Sequence, residues 1–217
     1  MSRKRVAVLI SGRGSNMAAL IDAANDKSYP AEIALVLSNK PGAGGLVTAR
    51  GNGIATEAVD HKPFGKDRAA FDQAMQAVLE KHHIDLVCLA GFMRLLSPGF
   101  VGGWQNHMLN IHPALLPAFK GLDTHKRALE AGAKVHGATV HFVVPEMDAG
   151  PIIMQGAVAV RPDDTEATLS ARVLAVEHRI YPAALKLVAE GRVRVVDGRC
   201  LIDGAPVPDD KTLIAET

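Results

Sequence analysis

The stretch "RVAVLISGRGSNMAAL", residues 5–20, decides the fold that the sequence predicts. An apolar, β-type run at 5–10 enters a turn that contains two glycines, and an amphipathic helical pattern follows from Ser15. A buried strand that leads through a tight turn into a helix is the usual first element of a parallel sheet covered by helices. The same alternation is therefore expected further along the chain.

The first half of the chain continues this alternation. In the third helical segment, Phe71, Met75, Val78 and Leu79 recur at helical spacing. The further predicted strands cover 32–38, 54–59 and 84–91, and the predicted helices cover 15–24, 44–52 and 67–82.

The pattern changes in the second half. Two long β-type runs, "VHGATVHFVV" (135–144) and "PIIMQGAVAV" (151–160), are joined by a short loop and predict an antiparallel hairpin. A long helix is expected to follow, with Thr165 as its N-cap. The predicted fold is therefore a single-domain, Rossmann-like α/β domain over 1–201. The parallel half of its sheet is extended by antiparallel strands, with helices on both faces. Residues 202–217 are expected to form a tail, which their Pro- and Asp-rich composition predicts to be flexible.

Charge and composition limit the function classes. The formal net charge is +1 and the basic residues are scattered, so nucleic acid is not an expected partner. No apolar run approaches the length of a signal-peptide core or a membrane span, and no membrane association is predicted. The two cysteines, Cys88 and Cys200, lie far apart in the sequence, which favours a reducing, cytoplasmic location.

The glycine turn after the first strand is where a helix N-terminus can hold a phosphate. Gly12 and Gly14 match the first two positions of the dinucleotide fingerprint, but Met17 occupies the third. The second strand ends in "LSNK" without an acidic residue for a ribose, which argues against a dinucleotide. Ser15 and Asn16 are expected to cap the helix and to offer donors to a compact anion such as a phosphate monoester. The alternative is a tight turn with a helix cap and no ligand.

A second polar group follows at "LNIHPALLP", residues 109–117. If this segment is extended, Asn110 and His112 project from the same face of a strand. Asp148, in the loop "PEMDAG", is the natural third polar residue, because open α/β sheets bind ligands beyond the carboxyl ends of their strands. The alternatives are a turn cap for Asn110, a hydrogen-bonded core residue for His112 and an ordinary turn residue for Asp148.

These residue types suit acyl transfer without a covalent intermediate. No Ser or Cys lies in a nucleophile elbow, whereas an amide and a protonated imidazole are good donors to a developing oxyanion. A carboxylate can orient the imidazole and receive a proton. A metal site is not predicted, because the histidine spacings match no common zinc signature; the candidates are His107, His112, His125, His136 and His141.

Several ordered motifs resemble those of the folate-dependent formyltransferases. They are "VLISGRGSN", "LAGFMRLLSP" (89–98), "LNIHPALLPAFKG" (109–121), "HGATVHFV" (136–143), "MDAGPII" (147–153) and "EHRIYP" (177–182). "IHPALLP" and the Asp-x-Gly loop would fit the wider group, which includes methionyl-tRNA formyltransferase and formyltetrahydrofolate deformylase. The "SGRGSN" loop and the short chain favour a resemblance to the phosphoribosylglycinamide formyltransferases, over about residues 5–201.

The resemblance implies transfer of the formyl group of 10-formyltetrahydrofolate to the amine of 5'-phosphoribosylglycinamide, a step of purine biosynthesis. It also implies roles for individual residues. The catalytic residues would be Asn110, His112 and Asp148. The glycinamide ribonucleotide would contact Gly14, Ser15, Asn16 and Glu177, and the folate would contact Arg68, Met93, Arg94, Leu95, Leu96, Asn110, Val144 and Met147.

Some assignments keep alternatives. Arg68 is also consistent with a solvated helix charge, and Glu177 with an ion pair to Arg172 or Arg179 on its own helix. Many relatives have Ser where this chain has Ala114, which removes a hydroxyl but no catalytic group.

Two rival functions also remain open. They are a formyltetrahydrofolate deformylase and a non-catalytic protein that binds a phosphorylated metabolite. The expected partners are the two small-molecule substrates, without a metal or a nucleic acid, in a monomer or homodimer.

Overall fold

The computed structural model describes residues 2–203, which form nine strands and six α-helices. The strands are β1 (Lys4–Ile10), β2 (Ala31–Ser38), β3 (Ala55–Ala58), β4 (Leu86–Leu89), β5 (Met108–His112), β6 (Val135–Phe142), β7 (Ile152–Ala159), β8 (Val193–Val196) and β9 (Arg199–Ile202). The helices are α1 (Ser15–Ala24), α2 (Gly44–Gly51), α3 (Arg68–Lys81), α4 (Pro98–Gly103), α5 (Thr124–Glu130) and α6 (Glu166–Ala189).

The main sheet has seven strands in the order β3-β2-β1-β4-β5-β6-β7. β1 pairs in parallel with β2 and with β4, and the pairs β2–β3 and β4–β5 are also parallel. β6 and β7 pair antiparallel, and β8 and β9 form a separate two-stranded hairpin. The predicted mixed α/β sheet, parallel first and antiparallel later, is confirmed.

The chain forms two compact units. The first comprises the described residues up to Asn110 together with Phe142–Pro145. Its core on one face of the sheet joins strand residues such as Ala7 and Leu9 to Phe71, Met75 and Leu79 of α3. α2 approaches the alternate face, where a Cβ on Gly45 would lie 2.5 Å from the side chain of Ile10. Helices therefore cover both faces of this parallel sheet.

The second unit comprises Ile111–His141 and the described residues from Glu146 onward. α6 packs on β7, and Gly156 makes this approach possible, because a Cβ there would lie 2.2 Å from Cγ1 of Val176. The Thr165 side chain accepts the N–H of Thr168, and the Thr168 hydroxyl accepts the N–H of Thr165. This reciprocal capping box confirms the predicted start of the helix.

The sequence did not predict some elements, and the predicted strands at 54–59, 84–91, 135–144 and 151–160 are longer than the observed β3, β4, β6 and β7. β4 covers only Leu86–Leu89 of the expected 84–91. The short helices α4 and α5 and the hairpin β8–β9 were not expected, since elements of four to seven residues give little periodic signal. The division into a domain at 1–201 and a tail at 202–217 stays a prediction. β9 ends at Ile202, and residues 204–217 lie outside the described part of the chain.

An ion pair fixes the segment between β7 and α6. Arg172 donates from Nη1 to Oδ1 of Asp164 at 2.8 Å and from Nη2 to the carbonyl oxygen of Ala159 at 3.0 Å. Bonds from Arg172 are the main cause that holds the pKa of the Asp164 carboxyl well below its ordinary value of 3.8.

We predict that Asp164→Asn lowers the free energy of unfolding at pH 7 by about 1.5–3 kcal/mol, the usual contribution of hydrogen bonds to charged groups. The lowered pKa makes this contribution complete above pH 4, and it is lost as the pH falls further. Urea unfolding at pH 7 and pH 3 measures both effects, with Asp163→Asn as the matched control. An equal loss of stability at the two pH values would contradict the assignment.

Candidate active site

The strand order of the first unit reverses between β1 and β4, since the chain places β2 and β3 on one side of β1 and β4 and β5 on the other. In open α/β sheets ligands bind at this switch point, beyond the carboxyl ends of the strands. The two loops that meet there are the glycine turn after β1 and residues 90–97 after β4. The N–H of Ser11 donates to the carbonyl oxygen of Gly91 at 3.1 Å, which joins them.

Ser11 anchors the loop after β4 with its side chain as well. Its buried hydroxyl accepts the N–H of Met93 at 2.7 Å and donates to Oδ1 of Asn39 at 2.6 Å. The hydroxyl therefore uses its donor and an acceptor at the same time. Sequence reasoning missed this residue, because a serine at a strand end is too common to indicate a contact across the sheet.

The loop after β4 presents apolar side chains to solvent. The side chains of Met93 and Leu95 are 68% and 56% exposed, while Leu96 packs on the core. Arg94 lies over the ring of Phe71, 4.7 Å from its centroid, and donates to the carbonyl oxygen of Gly65 at 3.1 Å. Arg68 is exposed at the first position of α3. The loop thus offers an apolar surface, and Arg94 has an evident structural role.

The helix α1 starts without the side-chain cap that the sequence predicts. The N-cap is Gly14, in the left-handed conformation at φ 75°, and no side chain forms a capping hydrogen bond. The prediction that Ser15 and Asn16 cap the helix is therefore wrong. Ser15 is instead the first helical residue, because glycine adopts positive φ without strain and lets the helix start at once. The first amides of α1 are thus not occupied by a side-chain cap, which suits an anion.

The second unit brings together His112 and Asp148. Nδ1 of His112 lies 3.5 Å from Oδ2 of Asp148, and both side chains are largely buried. The carboxylate is held from a second direction by the N–H of Gly121, at 2.8 Å from Oδ2. Nε2 of His141 lies 3.9 Å from Oδ1. These neighbours fix the position of the Asp148 side chain, and the backbone of Asp148 has a positive φ of 51°.

The other ring nitrogen of His112 also faces an oxygen. Nε2 lies 3.0 Å from the carbonyl oxygen of Phe119, so the ring is bracketed by two acceptors. A ring nitrogen that carries a proton can donate to the oxygen that it faces. Sequence reasoning missed Phe119 and Gly121, because they act through backbone groups that carry no side-chain signal.

The remaining predicted residues are distributed over both units. Asn110 lies on β5, two residues before His112, and belongs to the first unit, as does Val144. Glu177 is buried on α6 of the second unit, and Met147 is exposed there. Arg172 was one of two alternative ion-pair partners for Glu177, but in the structure it pairs with Asp164. The methyl group of Ala114 is fully buried, and its carbonyl oxygen accepts the hydroxyl of Thr139 at 2.7 Å.

A pair of histidines lies near His112. Nε2 of the buried His136 is 3.2 Å from Nδ1 of His125, and the two rings meet edge to face. Burial lowers the pKa of His136 to about 4, with a smaller contribution from the neighbouring His125. Burial also lowers the pKa of His125. In residues 2–203, no group of three or more His, Cys, Asp or Glu side chains is arranged to hold a metal ion.

The family described as formyl transferase matches residues 4–185. The chain belongs to the formyl transferase family.

Individual members of the formyl transferase family are similar over most of this chain. It is 43% identical to the phosphoribosylglycinamide formyltransferase of Escherichia coli K12, over 94% of this chain and 95% of that protein. It is 54% identical to the human trifunctional purine biosynthetic protein adenosine-3 over 89% of this chain, but it spans only 19% of that protein. The crystal structure of glycinamide ribonucleotide transformylase 1 from Symbiobacterium toebii superposes with a TM-score of 0.89 at 46% identity, covering 92% and 94% of the two chains.

The buried histidine of this formyl transferase gives a testable titration. Between pH 6.5 and about 4 the unfolded chain protonates His136 while the folded chain does not, so acidification in this range favours unfolding. We predict that the ring signals of His136 titrate in NMR spectra with a midpoint near 4. We also predict that His136→Asn reduces the loss of stability between pH 7 and pH 5. A midpoint near 6.5 would contradict the buried, neutral state.

Proposed function

We propose that this chain transfers the formyl group of 10-formyltetrahydrofolate to the amine of 5'-phosphoribosylglycinamide. Membership of the formyl transferase family supports a formyl transfer, and the names of the similar bacterial enzymes support this acceptor. The observation that carries the proposal is the buried pair of His112 and Asp148. His112 is the last residue of β5, the strand that also contains Asn110, and Asp148 lies on the loop before β7.

The reaction needs a place for negative charge and a route for a proton. The neutral amine attacks the formyl carbon and forms a C–N bond, the carbonyl oxygen becomes negative, and the amine nitrogen loses a proton. When the carbonyl forms again, the bond between the formyl carbon and the folate nitrogen breaks, and that nitrogen takes up a proton as tetrahydrofolate leaves. In this proposal the amide N–H of Asn110 donates to that oxygen, and the imidazolium of His112 assists. Asp148 orients the His112 ring and accepts the proton of the attacking amine, directly or through water, so that a proton is available for the leaving folate nitrogen.

The contacts of His112 refine this division of roles. Both of its ring nitrogens face protein oxygens, so its Nε2 proton would be shared between the Phe119 carbonyl and the substrate oxygen. Asn110 would therefore provide the main hydrogen bond to the oxyanion. The N–H of Gly121 fixes the Asp148 carboxylate, which maintains the proton acceptor in one orientation.

The proposed contacts to the substrate phosphate and to the pterin involve residues of the first unit. We assign the substrate phosphate to the start of α1, at Gly14, Ser15 and Asn16, where no side chain caps the helix amides. The exposed Met93 and Leu95 are proposed to cover the flat pterin, with Leu96 and Arg94 supporting the loop, and Arg68 to meet a carboxylate of the folate.

The peripheral contacts rest on sequence resemblance. Glu177, Val144 and Met147 are proposed to complete the substrate and folate contacts. The part of the chain that the structure describes contains no helix long and apolar enough to cross a membrane. We propose a cytoplasmic enzyme of purine biosynthesis that acts as a monomer or homodimer.

The direct test is consumption of 10-formyltetrahydrofolate, followed by absorbance, with and without glycinamide ribonucleotide. We expect folate turnover to require the amine and to yield the formylated product. Formate release at the same rate without the amine would indicate a deformylase. Binding of the phosphorylated compound without folate turnover would indicate a binding protein. Either outcome contradicts the proposal.

Substitution of the proposed catalytic residues tests the mechanism. We predict that Asn110→Ala and Asp148→Asn each lower kcat by about 10²–10³, the usual cost of losing one preorganised oxyanion or proton-transfer group. Both variants should remain folded by circular dichroism, because neither change adds volume.

Two matched controls accompany these variants. Glu146→Gln removes a carboxylate from the same loop that carries Asp148, where it lies 3.6 Å from Lys120 at the surface. Asn52→Ala removes an amide from the end of α2. Both controls should keep kcat within about threefold, since exposed polar groups contribute little. Near-normal turnover in Asn110→Ala or Asp148→Asn would refute the proposed roles.

A further inference from the structure

A cleft of about 580 Å³ opens in the first unit where β1, β2 and β3 end. Its walls are residues 11–13, the segment 40–44, and residues 60–62. We call this the cationic cleft. Gly14, Ser15 and Asn16, to which the substrate phosphate is assigned above, are not among its lining residues. The cleft therefore adjoins the start of α1 but does not include those residues.

Cations dominate the lining of the cationic cleft. Arg13, Lys40 and Lys62 all border it, and their charged groups form no hydrogen bond or ion pair within the described part of the chain. The single carboxylate of the lining, Asp60, already accepts the N–H of Lys62 at 3.0 Å and lies 3.8 Å from Nδ1 of His61. Three unneutralised cations around one concave surface attract an anion.

His61 adds a polar group that is already oriented. Its Nδ1 lies 2.7 Å from the carbonyl oxygen of Asn39, which fixes the ring against the end of β2. Nε2 of His61 makes no hydrogen bond to residues 2–203. The ring therefore keeps one nitrogen for a ligand, while the other is used by the backbone.

The fold itself does not require the three glycines that line the cationic cleft. A Cβ added to Gly12, Gly42 or Gly44 would meet no atom within 4 Å, and none of the three has a positive φ. In the same segment Gly45 is required, because its Cβ would lie 2.5 Å from the Ile10 side chain. Neither packing nor backbone conformation demands glycine at 12, 42 and 44, but an open cleft does, since side chains there would extend into it.

The position of Lys40 indicates the chemistry of the occupant. In dinucleotide-binding folds an acidic residue beyond the second strand binds ribose hydroxyls, and a basic residue nearby accommodates a phosphate instead. Lys40 follows the end of β2 by two residues. Its charge therefore favours an anion over a sugar hydroxyl, and the volume is sufficient for a small organic molecule that carries that anion.

We propose that the cationic cleft is a second binding site, for the phosphate monoester of a small molecule, held by Arg13, Lys40 and Lys62. The phosphate accepts charge-assisted hydrogen bonds from these side chains, and Gly42 and Gly44 let it approach the backbone. The site is independent of the proposed formyl transfer, because it shares no residue with the proposed catalytic or substrate contacts.

Calorimetric titration of ribose 5-phosphate into the full chain tests this site, with ribose as the uncharged counterpart. We expect the double variant Lys40→Ala/Lys62→Ala to weaken one binding event by about 100-fold, tenfold for each charge-assisted hydrogen bond removed. Lys66→Ala removes an exposed lysine outside the cleft and should change affinity by less than about twofold. An equal effect of Lys66→Ala, or no binding by the wild-type chain at millimolar concentration, would overturn the proposal.

A second variant fills the space without changing charge. Gly44→Leu places a side chain in the cationic cleft, and the open space around Gly44 predicts that the thermal midpoint will not fall. We expect it to abolish the same binding event, whereas Gly51→Leu at the other end of α2 retains it. Unchanged affinity in a folded Gly44→Leu variant would refute the site.

A third variant separates this proposal from the proposed substrate site. In Asn16→Ala the event that depends on Lys40 and Lys62 should persist, even if binding at the start of α1 is abolished. Loss of all ribose 5-phosphate binding in a folded Asn16→Ala variant would leave one site, at α1, and would refute the cationic cleft as a second. If Asn16→Ala has no effect while the lysine variants do, the cleft stands and the phosphate assignment at α1 fails.

Discussion

Strand β1 is hydrogen-bonded in parallel to β2 on one side and to β4 on the other, and the first unit depends on this pairing. The residues from Val6 to Ile10 are completely buried. Because the chain places β2 on one side of β1 and β4 on the other, the loops after β1 and β4 meet at the carboxyl edge of the sheet, where the N–H of Ser11 donates to the carbonyl oxygen of Gly91. The bonds of the Ser11 hydroxyl with Met93 and Asn39 hold the segments after β1, β4 and β2 together.

The two functional proposals depend on residues of different burial. The catalytic part of the proposed formyl transfer rests on the buried His112–Asp148 pair of the second unit. The cationic cleft uses exposed, unneutralised side chains after β1, β2 and β3. Burial makes the His112–Asp148 pair chemically specific, because a charge in a poorly hydrated place requires its partner. Exposure makes anion binding by the cations of the cleft sensitive to ionic strength.

Several features were predictable because they depend on local sequence. The spacing of Phe71, Met75 and Leu79 predicted α3, and Thr165 predicted the start of α6. The conspicuous motif around Asn110 and His112 correctly indicated an extended segment followed by a loop. The expectation for Ser15 and Asn16 failed, because both a side-chain cap and a glycine N-cap begin helices, and only the backbone conformation at Gly14 distinguishes them.

The sequence by itself determined the strand and helix alternation, the family and the identity of the polar residues, because periodicity and ordered motifs are properties of neighbouring positions. Only the tertiary structure decided that Asp148 lies beside His112, that Gly121 and Phe119 hold them through backbone groups, and that Lys40 and Lys62 border the cleft of Arg13. The physical reason is that these contacts join residues distant in the chain. Their geometry arises from strand pairing and loop closure, which leave no mark on the local order of side chains.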